Sequence, residues 1–124
     1  MKFWDKPIQT TYRIPAADLT GGARIFAYIQ GPPGARGRIQ FLQTAVTTNV
    51  TVAAAAILVG ISGDTDKFLS FNTPVSSAGA VLVTRSSQVS HAELSADTVI
   101  QIGTDGAATA GAADINLCVA WERE

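Results

Sequence analysis

Turn signals cut this chain into short pieces, and that spacing constrains its fold more than any other feature. Gly21-Gly22, Gly31-Pro32-Pro33-Gly34, Ser62-Gly63, Asn72-Thr73-Pro74 and Asp105-Gly106 punctuate the sequence. The segments between them are rich in Thr, Val, Ile and aromatic residues, which suit a pleated, half-buried surface. Arg24–Gln30, Ile39–Thr48, Asn49–Ile61, Phe68–Phe71, Gly79–Thr84, Thr98–Gly103 and Asp114–Trp121 read as strands. The last is the clearest: Ile115, Leu117, Val119 and Trp121 alternate with Asp114, Asn116, Cys118 and Ala120. In Arg24–Gln30 the alternation puts Ile25, Ala27 and Ile29 on one face and Phe26 and Tyr28 on the other. Seven or eight short strands predict an antiparallel β-sandwich of jelly-roll-like form. The four alanines of Ala53–Ala56 favour helix by propensity, but β-branched neighbours and Gly60 favour strand. The polar stretch Ser62–Lys67 reads as a loop, and one helical turn is expected near His91–Leu94.

At 124 residues, one domain is expected. Hydrophobic residues make up 47%, which excludes general disorder, and charged residues only 15%. Residues 1–22 differ from the body. Pro7 and Pro15 forbid a continuous helix and no period is sustained, yet Phe3, Trp4, Ile8, Tyr12, Ile14 and Leu19 carry a large apolar load. Two readings stand: an edge segment packed on its own domain, or an arm lying on another subunit. Residues 1–22 are taken as an arm and residues 23–124 as the sandwich, with Gly21-Gly22 as hinge. Phe3, Trp4, Ile8, Tyr12 and Arg13 are its expected partner contacts, because Trp, Tyr and Arg are common interface anchors. Phe26 and Tyr28, apolar on the second face of their strand, are the expected oligomer contacts.

The net charge of −1 excludes nucleic-acid binding by the whole chain. The charge is unevenly spread. Lys2, Lys6, Arg13, Arg24, Arg36 and Arg38 outnumber Asp5 and Asp18 in the first forty residues, while acids dominate the remainder. The basic part either docks on an acidic surface or lies on the acidic half of its own or a neighbouring subunit. The N-terminus Met1–Pro7 lacks the apolar core of a signal peptide. The longest uncharged apolar run, Val52–Ile61, is half of what a membrane-spanning helix needs. A soluble product of a cytoplasm is expected, with no membrane partner.

Catalytic signals are poor. The single histidine, His91, and single cysteine, Cys118, are far apart in sequence, and Gly60-Ile61-Ser62-Gly63 is not a nucleophile elbow. One His and one Cys cannot build a structural zinc site. Asp64-Thr65-Asp66 resembles the start of a calcium loop, but Phe68 stands where the next ligand belongs. No enzyme activity, metal or cofactor is expected.

Three runs carry a family resemblance: Val59-Gly60-Ile61-Ser62-Gly63-Asp64-Thr65-Asp66-Lys67-Phe68, Leu94-Ser95-Ala96-Asp97-Thr98-Val99, and Ala112-Ala113-Asp114-Ile115-Asn116-Leu117-Cys118-Val119. Together they resemble small proteins encoded among the head genes of tailed bacteriophages, the capsid decoration or cement proteins. The resemblance covers roughly residues 55–120, and no motif of residues 1–22 belongs to it. It implies a jelly-roll unit, commonly a homotrimer, clamped on the major capsid protein of the same virus. Such a protein is made in the bacterial cytoplasm and ends on the virion exterior, without catalysis. The competing class is a receptor- or carbohydrate-binding β-module of a phage fibre or surface structure.

Overall fold

The computed structural model describes residues 8–73, 76–85 and 93–123. Nine strands are formed among them and no helix: β1 (Ile8–Asp18), β2 (Arg24–Gln30), β3 (Ala35–Thr51), β4 (Ala55–Ile61), β5 (Asp64–Thr73), β6 (Val81–Arg85), β7 (Glu93–Leu94), β8 (Val99–Thr104) and β9 (Ala110–Arg123). They build two antiparallel sheets. The first has the order β1-β9-β3-β6, with the two-residue β7 also paired to β3, and the second has the order β2-β8-β4-β5. The chain crosses between sheets after β1, β2, β3, β5, β7 and β8, while β4 and β5 form a hairpin through Ser62-Gly63. Apart from the short β7, two four-stranded paths wound in this way are a jelly roll.

The core lies between the sheets. Ile39, Leu42, Val46, Ile115, Leu117, Val119 and Trp121 point in from the first sheet, and Ile57, Val59, Ile100 and Ile102 from the second. Burying each of these side chains contributes about 1.5–3 kcal/mol. The inward set of β9 is the one its alternation predicts. In β3 the apolar spacing is irregular because the register slips between Ile39 and Phe41. That bulge lets both Ile39 and Leu42 face inward and sends Phe41 to the outer face. Trp121 fills one end of the core. Its ring lies against Gly31 and Gly37, where any Cβ would overlap it. Its indole N–H donates to the Tyr12 hydroxyl at 2.9 Å.

Residues 8–18 run along the first sheet, and three local expectations are corrected. Residues 8–18 of the expected arm are an edge strand of the first sheet, paired with β9 from Ile8↔Trp121 to Asp18↔Ala112. Pro15 is tolerated there because an edge strand need not donate every N–H. The β3–β4 connection falls at residues 52–54, not at Thr47–Asn49, so β3 is one long strand. Val52 makes this turn with φ of 71°, a left-handed conformation in which a β-branched residue is strained. Asp64–Lys67 belongs to β5 rather than to a loop: an exposed strand end is polar for the same reason a loop is. His91 and Ala92 lie outside the described residues, and Glu93–Leu94 pairs with β3 instead of turning as helix.

Candidate functional site

With the core closed, function falls to the outer faces and edges of the sheets. The β1 edge carries three of the residues expected to bind a partner. Ile8 is exposed, whereas Tyr12 is half-buried against the core and held by Trp121. Arg13 projects outward and pairs with Asp114 at 3.1 Å. Asp114 also accepts the Ala16 N–H at 2.7 Å, at a bulge where Ala16 has φ of 47°. The Ala16 N–H first, and the Arg13 guanidinium after it, hold the Asp114 carboxyl below the ordinary carboxylate range. Phe3 and Trp4, the aromatic members of the expected set, lie outside the described residues. The turn after β1 is tied similarly. Asp18 accepts from the Thr20 hydroxyl at 2.7 Å and from its N–H at 3.0 Å, and lies 3.6 Å from Arg24. These contacts, the Thr20 hydroxyl foremost, lower the Asp18 carboxyl.

The expected oligomer pair is split by a bulge. The β2/β8 register slips between Ile25 and Ala27. Phe26 therefore packs against the core, while Ile25 turns outward at 42% exposure. Tyr28 remains on the outer face, 66% exposed, with Val99 near it at 43%. The single-face reading of Ile25, Ala27 and Ile29 fails for the same reason: one extra residue reverses the phase of a strand.

A second slip, between Val59 and Ile61, interrupts the β4/β5 pairing. Each slip coincides with a glycine. A Cβ on Gly103 would overlap the Arg24 carbonyl oxygen, and one on Gly60 would overlap the Asp64–Thr65 backbone. The flanking strands can rise over the outer face only because these two positions lack side chains. The result is a trough of about 340 Å³ lined by Ala23, Arg24, Ile25, Leu58, Thr65, Gln101, Gly103 and Thr104. Gln101 stands between Tyr28 and Gly60 in the cross-strand register. It is 8% exposed. The sequence gives Gln101 and Gly103 no role and marks Gly60 only as a sign of strand. The available signal was a glycine interrupting each of two strand patterns, which marks a bulge or a close backbone approach.

The first sheet has a hollow of its own, about 570 Å³, beside Arg36, Arg38, Glu93 and Glu122. Arg38 and Glu93 approach to 3.6 Å there. Among the described residues no group of three or more His, Cys, Asp or Glu is placed to hold a metal. Asp64 and Asp66 lie along an exposed strand, not around a loop. Cys118 is buried on the outer side of β9, opposite Thr11 and Phe41. No helix of the described residues is long and apolar enough to cross a membrane.

No protein-family model matches the chain. No curated protein matches it either. Solved structures do share its fold. A chain of the capsid of Ralstonia phage GP4 aligns with a TM-score of 0.55 at 18% identity, over 97% of this chain and 86% of that one. A chain from Bacillus endospore appendages, described as a family of disulfide-linked pili, aligns with a TM-score of 0.51 at 12% identity, over 100% and 95%.

Proposed function

We propose that this chain is a non-enzymatic virion structural protein that decorates a bacteriophage capsid, binding the outer shell as a symmetric oligomer. The supporting observation is the jelly-roll order β1-β9-β3-β6 over β2-β8-β4-β5, in a fold that aligns along nearly its whole length with a capsid chain of Ralstonia phage GP4. The outer faces support association. Ile25, Tyr28 and Val99 are exposed on one sheet and Val81 and Val83 on the other, more apolar side-chain surface than a solitary sandwich needs. The partner is the major capsid protein of the same virus, and a homotrimer is the expected unit. With residues 8–18 committed to the first sheet, attachment through the N-terminus falls to Phe3 and Trp4, aided by Ile8 and the exposed Arg13.

The pilus-like alignment favours a different assembly less well. A disulfide-linked polymer needs accessible thiols, and the single cysteine here, Cys118, is buried. The test is light scattering of the purified chain, alone and with capsids stripped of it. Oligomers that bind shells saturably, and more weakly after Trp4→Ala, are expected. A 12.9 kDa monomer indifferent to capsids would sink the reading.

A further inference from the structure

We infer that the hollow on the outer face of the first sheet receives residues 1–7 of a neighbouring copy, so that each subunit is held by the N-terminal segment of the next. The inference rests on the symmetric oligomer proposed above. The floor and rim of the hollow follow from the register. One row across the outer face runs Glu93, Arg38, Ala120, Gln9, and the next sets Arg36 beside Glu122. Ala120 is the short member among long neighbours, and a hollow of about 570 Å³ opens there. Arg36, Arg38, Glu93 and Glu122 stand around it, all exposed. Two bases and two acids leave this rim without net charge, so it favours neither a simple anion nor a simple cation. It fits a partner whose charges come in a matching order.

That order is present in the chain itself. Extended backbone puts Lys2, Trp4 and Lys6 on one side and Phe3 and Asp5 on the other. Lys2 and Lys6 are then about 13 Å apart, four residues at the rise of a strand. Glu93 and Glu122 are separated by two strand spacings and two residues, about 12 Å. The midpoint of that line falls on β3 between Arg36 and Arg38, and Trp4 comes down there when the two lysines meet the two acids. An indole ring between two guanidinium groups gains cation–π attraction. Ala120 leaves it room. A carboxylate has acceptor sites for a second cation, so Glu93 need not give up Arg38 at 3.6 Å.

The segment of the same copy misses this point. β1 runs antiparallel to β9, so its direction at Ile8, opposite Trp121, points past Glu122 toward the end of β9. Pro7 restricts Lys6 to extended backbone. Lys6 then stands about 7 Å beyond Ile8 and about 12 Å from the midpoint, while Trp4, two residues on, reaches back only about 7 Å. The occupant therefore comes from another copy. A contact between two different patches of successive copies closes into a ring, which fits a trimer. Phe3 and Asp5, on the far side of the segment, are left to meet the shell.

The full chain is tested by sedimentation velocity, and by NMR of oligomers mixed from isotope-labelled and unlabelled copies. We expect contacts between the Trp4 indole of one copy and the Ala120 methyl of another. Trp4→Ala should weaken self-association about tenfold or more, whereas Phe3→Ala leaves it within about threefold. Ala120→Tyr, which fills the hollow, should release the subunits as Trp4→Ala does, with melting temperature as the check on folding. A 12.9 kDa monomer for the unaltered chain, contacts confined to one copy, or oligomers that Trp4→Ala and Ala120→Tyr both leave intact overturn the inference. Equal losses from Phe3→Ala and Trp4→Ala overturn it as well. Capsid binding is measured on the same samples. Oligomers that need Trp4 and ignore capsids keep the inference and refute decoration; oligomers that bind capsids and survive both variants do the reverse.

Discussion

The two sheets of this jelly roll follow the same alternation rule and end with different outer faces. The first is anchored by long β3 and β9, and its outer surface is laced with paired charges, Arg13 with Asp114 and Arg38 with Glu93. The second is built of shorter strands, and its outer face centres on Tyr28, Ile25, Val99 and the largely buried Gln101. Two glycines make much of this difference. Gly60 and Gly103 let neighbouring backbone climb over the second sheet. Gly31, just after β2, and Gly37 of β3 face inward instead and admit the Trp121 ring. A glycine in a strand can thus serve the core or open a surface, according to the face on which its missing side chain would stand.

The largest blow to this contrast should come from Trp121→Ala. It removes the ring beneath Gly31 and Gly37 and leaves the Tyr12 hydroxyl without its donor. A loss of about 3–5 kcal/mol is expected in urea unfolding, the range for emptying a large aromatic site. A loss under 1 kcal/mol would show that the first sheet does not depend on that end of the core. Gly103→Val strikes the second sheet, forcing a side chain against the Arg24 backbone. It should cost about 1–3 kcal/mol by overpacking and alter amide shifts along the trough while sparing β9.

How far the sequence reveals these features depends on local regularity. β9 is legible because Ile115, Leu117, Val119 and Trp121 keep strict period two without a bulge. Phe26 and Ile25 are misplaced because nothing within β2 announces the slip that follows Ile25; the glycine that accommodates it, Gly103, stands on β8. Residues 8–18 look like an arm because Pro15 and the left-handed Ala16 interrupt a pattern that the pairing with β9 nevertheless sustains. The trough is invisible from composition, since its floor is one glutamine among isoleucines and its shape comes from absent side chains.

Two smaller changes sharpen the account of the first sheet. The Thr44 hydroxyl is buried in that sheet's inner face without a partner, so Thr44→Val should raise stability by about 1 kcal/mol. An unchanged or lower denaturation midpoint would argue that the hydroxyl is satisfied in solution. The smallest effect should come from the β1 edge. The Asp114 carboxyl is depressed in the folded chain relative to an unfolded value near ~3.9. Its contribution is therefore present above about pH 4 and fades as pH falls through the lower folded value. Asp114→Asn should flatten this acid limb and speed exchange of the Ala16 amide, with little change near neutrality. An unaltered acid limb would remove Asp114 as the tie that holds the bulge.

The proposed role is tested most directly by a symmetric electron cryomicroscopy map of an intact particle carrying this chain. The account predicts density for the jelly roll on the outer surface of the shell, in closed symmetric clusters, with residues 1–7 against a capsid subunit or a neighbouring copy. Density inside the shell or in the tail, or particles complete without the chain at any stoichiometric position, would contradict it.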